Sequence, residues 1–82
     1  MAQHSETGWL EEMSKYAVVI EKSSNGFGAY APDVPGCVAV GETLAETERL
    51  IREALDLHIA ALREDGDPIP RPTTVVREVD VG

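Results

Sequence analysis

The sequence predicts a two-layer α+β domain: three antiparallel strands, then one long helix, then one further strand. Three observations carry this. Between Lys15 and Val40, apolar residues alternate in short runs broken by Asn25-Gly26 and by Pro32-Asp33-Val34-Pro35-Gly36. From Thr43 the period lengthens to that of a helix, behind a clear start signal. Beyond Gly66 a proline-rich connector leads into a second alternating run.

Each element has its own reason. Residues Met1 to Ser14 are mostly polar, but Trp9, Leu10 and Met13 fall at i, i+1 and i+4, so this stretch is expected to be a short docking helix or a tail. In the first strand Tyr16, Val18 and Ile20 share one face, with Ala17, Val19 and Glu21 on the other. Asn25-Gly26 suits a tight hairpin turn through its tolerance of positive φ. The returning strand is Phe27 to Ala31, where Gly28 is expected to admit close approach of a neighbour. Two prolines then interrupt the sheet, Pro35-Gly36 fitting the centre of a type II turn, and Cys37 to Val40 forms the third strand.

Thr43-Leu44-Ala45-Glu46 is a capping box, whose hydroxyl and carboxylate satisfy backbone donors at a helix start. The helix is predicted from Leu44 to between Arg63 and Asp65, ended by Gly66 and Pro68. Leu44, Ile51, Ala54, Leu55, His58 and Leu62 form the stripe expected to face the sheet. A second row, Leu50, Leu57 and Ala61, exceeds what one small sheet must cover, which marks Leu50 and Leu57 as self-association candidates and a homodimer or higher oligomer as the expected state. Thr73 to Val81 alternates well enough to read as the last strand. A single helix leaves one sheet face bare, so that face is polar, covered by the N-terminal segment, or used in an interface.

Composition narrows the function. The 82 residues carry 7 Lys and Arg against 15 Asp and Glu, a formal charge of −8, with 43% apolar residues. So negative a surface repels phosphate backbones and favours a basic partner. The apolar fraction is too high for a disordered acidic tail, and no apolar run reaches membrane-span length. With one cysteine and no basic-then-apolar leader in the sequence, a cytoplasmic location is expected.

Chemistry-bearing residues are few. His58 lies inside the apolar helical stripe, which reads as packing rather than catalysis. Cys37 has no basic neighbour in sequence to favour its thiolate and reads as a small core residue. Phosphate loops, dinucleotide fingerprints, Gly-x-Ser-x-Gly and His-Glu-x-x-His are missing from the sequence. Glu46, Glu48, Glu53, Asp56, Glu64 and Asp65 read as the solvated side of the helix, some paired with Arg49, Arg52 or Arg63. No catalytic, cofactor or metal site is expected.

The order of the motifs says more than any one of them. Tyr16 to Glu21, then Asn25 to Cys37 with its Pro32-Asp33-Val34-Pro35-Gly36-Cys37 block, then Gly41-Glu42-Thr43-Leu44-Ala45-Glu46, then Ile51 to Leu55, together resemble the HicB antitoxin family over about residues 15 to 72. The resemblance implies one domain over 15–82 with a partial RNase H-like fold and no working nuclease site. It also implies a role: family members bind and neutralise HicA, a small basic ribonuclease that cleaves messenger RNA with a histidine. An acidic inhibitor of a basic enzyme is electrostatically sensible. The expected contact surface is the sheet with the Pro32 to Gly36 loop, in particular Tyr30, Pro32, Asp33 and Val34. Family members commonly carry a DNA-binding segment after the last strand; this chain stops at Gly82, so no direct DNA binding is expected. Two alternatives stand beside the antitoxin: a stand-alone oligomeric regulator or scaffold without a toxin, and a metal-dependent nuclease using Glu21, Asp33 and Asp80.

Overall fold

The computed structural model describes residues 15–82, so the docking helix or tail expected over 1–14 lies outside the described residues. The elements are β1 (Val19–Ser23), β2 (Gly26–Tyr30), β3 (Val38–Gly41) and α1 (Leu44–Asp65). The strands form one antiparallel sheet in the order β1-β2-β3. Val19 lies opposite Tyr30, Ser23 opposite Gly26, and Tyr30 opposite Val38. The α+β class, the three antiparallel strands and the long helix are as expected. Alternation places Ile20, Phe27, Ala29 and Ala39 on the inner face and Val19, Glu21, Gly28, Tyr30, Val38 and Val40 on the outer.

The hairpin differs in detail from the expected turn. Ser23 pairs with Gly26, so Ser24-Asn25 form its two-residue loop, and neither Asn25 nor Gly26 takes a positive φ. Gly26 is instead the first residue of β2, and a Cβ there would stand 2.5 Å from the Gly41 carbonyl oxygen. Gly28, expected to admit a neighbour, has open space where its Cβ would be.

The core is small-residue-rich: Ala29, Ala31, Val34, Cys37 and Ile51 are buried, flanked by half-buried Tyr16, Val18, Ile20, Ala39, Ala54, Leu55 and Ile59. Tyr16 and Val18 precede the hydrogen-bonded ladder but still pack on the core, on the face their alternation assigns them. α1 packs across β2 and β3. At its start the Thr43 Oγ1 accepts from the Glu46 N–H at 3.1 Å, and the Glu46 carboxylate accepts from the Glu42 N–H at 2.8 Å. The capping box is therefore present, its return bond landing one residue before the cap. At its end Gly66 takes φ +73°, the Gly66 N–H donates to the Arg63 carbonyl and the Asp67 N–H to the Leu62 carbonyl. This six-residue closure satisfies carbonyls that the helix leaves free.

Two expectations about packing are corrected. Leu44, placed in the inward stripe, is exposed, and Thr47 is fully buried in its stead. The end of β3 approaches α1 too closely for a large side chain, and the Thr47 hydroxyl satisfies itself by donating to the Thr43 carbonyl at 2.7 Å. The last strand is the second correction. Residues 67–82 carry neither helix nor strand, and Thr73 to Val81 are exposed throughout. Alternation makes a strand only where a ladder partner is in reach, and among the described residues this segment meets none.

Candidate protein-binding face

The Pro-Asp-x-Pro-Gly block folds as two turns in tandem. The Val34 N–H donates to the Ala31 carbonyl and the Cys37 N–H to the Val34 carbonyl, both at 3.1 Å, while the Ala31 N–H donates to the Cys37 carbonyl at 3.2 Å. Pro32 and Pro35 occupy the second position of each turn, where their fixed φ is already correct, and Gly36 at φ +84° supplies the left-handed third position of a type II turn. The consequence is a three-residue period. Ala31, Val34 and Cys37 point inward and are buried, whereas Pro32, Pro35 and Gly36 face solvent.

The four residues expected to make the contact surface are thus placed differently from one another. Tyr30 ends β2 on the outer face and Pro32 is exposed. Val34 is fully buried; it fixes the loop from within. Asp33 is half-buried and engaged within the chain. One carboxylate oxygen accepts from the Thr73 and Thr74 N–H groups at 3.0 and 2.9 Å, and the other accepts from the two threonine hydroxyls at 3.0 and 2.8 Å. These bonds, the Thr74 backbone first, hold the Asp33 carboxyl below its ordinary range.

A pH dependence follows. Because the folded value lies below 3.8, the anchoring of Thr73 and Thr74 is complete above that value and is lost as the pH falls through the lower one. The Thr73 and Thr74 amide resonances are expected to shift together in an acid NMR titration with a midpoint below 3.8, and Asp33→Ala is expected to abolish the transition.

Beside the double turn lies the outer sheet face. Val38 is 63% exposed, Val40 78% and Tyr30 43%. Tyr30 and Val38 are directly opposed, as are Gly28 and Val40, so the apolar side chains are contiguous and Gly28 leaves a bare notch among them. Tyr30, Val38 and Val40 thus form an exposed apolar patch beside the double turn, with Glu21 on the same face.

The other chemistry-bearing residues are dispersed. His58 is half-buried, with its Cε1 4.0 Å from where a Gly36 Cβ would stand, so it packs beneath the second turn. Burial pushes the Cys37 thiol up, away from the thiolate. Among the described residues no group of three His, Cys, Asp or Glu could hold a metal ion, so Glu21, Asp33 and Asp80 are not brought together. On α1, Leu57 is exposed and Leu50 half-buried. Arg49 pairs with Glu53 at 3.1 Å in the solvent-exposed i, i+4 sense. No described helix is long and apolar enough to cross a membrane.

Residues 16–80 match the family described as HicB-like antitoxin of bacterial toxin–antitoxin systems. The chain belongs to this family. Curated relatives include a 14.9 kDa protein of Haemophilus phage HP1, 34% identical over 79% of this chain and 49% of the relative. A UPF0150 protein of Synechocystis is 29% identical over 87% of this chain and 91% of its own length. Among solved structures, a chain of the HicA3 and HicB3 toxin–antitoxin complex superposes with a TM-score of 0.63 at 38% identity, covering 73% of this chain and 70% of the other. The antitoxin HicB3 crystal structure superposes at 0.60 with 40% identity, covering 70% of this chain and 42% of that one. The chain thus spans about half the length of the phage relative and less than half of that HicB3 chain. The HicB-like match covers the sheet, the double turn and α1 together.

Proposed function

We propose that the protein is a non-catalytic antitoxin that neutralises a small basic ribonuclease of HicA type by covering its surface. The observation that carries this reading is the 38%-identical superposition on a chain of the HicA3 and HicB3 complex. The charge of −8 supports it, since an acidic inhibitor steers toward a basic enzyme and competes with RNA for the same surface. The outer sheet face and the Pro32–Gly36 loop form the contact, with Tyr30 and Pro32 touching the toxin while Asp33 and Val34 hold the loop in shape. The fold is read as a partial RNase H-like arrangement kept for binding. The pair acts in the cytoplasm, where messenger RNA is found.

Calorimetric titration of a HicA-type ribonuclease encoded beside this chain tests the reading. A saturating complex is expected, with association that slows as salt is raised. Absence of heat and of co-migration on a sizing column would refute it.

A further inference from the structure

Gly26, Gly28 and Gly41 lie in the strands, and the fold accounts for two of them. A Cβ at Gly26 would stand 2.5 Å from the Gly41 carbonyl oxygen, and one at Gly41 2.5 Å from the Thr47 Oγ1. Gly28 is the exception. It sits in the middle of the central strand, its φ is not positive, and among the described residues nothing lies within 4 Å of where its Cβ would be. Glycine weakens a strand interior, and its use there marks a place where a ligand or another chain comes close. The described chain supplies no such neighbour, so the space opens outward.

The residues around that space give it a chemistry. Glu21 on β1 and Val40 on β3 are each directly opposite Gly28, all three on the outer face. Adjacent strands lie about 4.8 Å apart, so Glu21 and Val40 stand about 10 Å apart across bare Gly28 backbone, which leaves room for one side chain between them. Tyr30, two residues along β2 on the same face and 43% exposed, closes one end. Glu21 is exposed, and the described residues form one ion pair, Arg49 with Glu53, so Glu21 is unpaired among them. Residues 1–14 hold three Glu and no Lys or Arg, so they bring neither an ammonium side chain nor a guanidinium to it. A slot with an apolar wall, an aromatic end and one unpaired carboxylate suits a long side chain with an apolar stem and a cationic head. Arginine fits it better than lysine, because a planar guanidinium forks onto a carboxylate and stacks on an exposed ring, whereas an ammonium is a compact, strongly hydrated charge.

The geometry points to the Gly28 slot as the receptor for one arginine side chain of the basic protein that the outer face covers. The stem lies over Gly28 against Val40, the guanidinium stacks on Tyr30, and the Glu21 carboxylate accepts its hydrogen bonds. The source of the arginine rests on the antitoxin reading above, while the slot itself is a property of the free chain.

An NMR titration of the full chain alone with N-acetyl-arginine methylamide reads the slot without any toxin. Shifts concentrated at the Glu21, Gly28 and Val40 amides are expected, weaker with the lysine analogue. They should be lost in Glu21→Gln and in Gly28→Val, whose side chain fills the space while the urea midpoint stays near that of the parent. Absent shifts overturn the proposal, whether residues 1–14 or a second copy fills the slot or arginine does not fit it; shifts as large with lysine, or surviving both substitutions, overturn it too. Titration with the HicA-type ribonuclease then reads the source. Gly28→Val should weaken binding about 100-fold, and Glu21→Gln about 10-fold with a shallower salt dependence. If both variants bind the ribonuclease as the parent does, the slot is overturned and the antitoxin reading stands. If the parent takes the arginine probe and binds no ribonuclease, the antitoxin reading is overturned and the slot stands.

Discussion

Val38→Asp together with Val40→Asp is expected to abolish neutralisation of the ribonuclease while leaving the antitoxin folded. Both side chains stand on the outer face of β3, 63% and 78% exposed, so the free chain has little packing to lose. In the proposed complex they would lie within the covered face, opposite Tyr30 and Gly28, where two desolvated carboxylates would have no partner. Central interface positions of this kind cost about 2 kcal/mol or more each when disrupted, so the pair should weaken binding by about 1,000-fold. The toxin titration reads the affinity, and a thermal melt of the free variant reads the fold. Unchanged affinity would move the contact away from this face.

Gly41→Val is expected to lower stability strongly. A Cβ at Gly41 would stand 2.5 Å from the Thr47 Oγ1 and 3.0 Å from the Thr47 nitrogen. Thr47 cannot give way easily, because its hydroxyl and its N–H both donate to the Thr43 carbonyl, at 2.7 and 3.0 Å, in the capping turn. Inserting the side chain therefore pushes the start of α1 off the sheet, at a cost of about 3 kcal/mol, the upper end for overpacking. A domain of this length has only about 4 to 12 kcal/mol in total. Urea unfolding should show the loss as a lowered midpoint with an unchanged slope. Gly28→Val, where the Cβ meets nothing, is the control and should leave the midpoint close to that of the parent.

The contrast between those two glycines shows what the sequence could and could not reveal. Signals that act within four or five residues were legible: the Thr43 and Glu46 cap, the Gly66 stop and the Pro35-Gly36 turn all stand where local chemistry put them. Strand identity was legible from alternation, although the ladder began later than the pattern in β1, because pairing, rather than apolar spacing, sets a strand's limits. Three long-range facts were hidden. Gly26 and Gly41, not Gly28, meet a close neighbour, which depends on where the sheet and α1 cross. Thr47 reads as a polar residue in the sequence, yet it is fully buried where the end of β3 at Gly41 closes on α1, its hydroxyl satisfied by the Thr43 carbonyl. Asp33 serves Thr73 and Thr74, forty and forty-one residues away, and no spacing rule connects them.

The alternation at residues 73–81 is a further case. It carries a real β pattern, but a pattern specifies only a surface that fits a pleated sheet, and the partner edge decides whether a strand forms. The Pro32–Gly36 stretch was legible as a turn, whereas the placement within it, Pro32 outward and Val34 inward, follows from the three-residue period of the tandem turns.

The central claim is inhibition by covering a surface, with no turnover. Titrating the antitoxin into a fixed amount of the HicA-type ribonuclease and following RNA cleavage measures it most directly. Residual cleavage should fall linearly to an endpoint at a fixed stoichiometric ratio and return when the complex is dissociated at high salt. Cleavage that continues undiminished in excess antitoxin, or a toxin inactivated by far less than one equivalent, would contradict it.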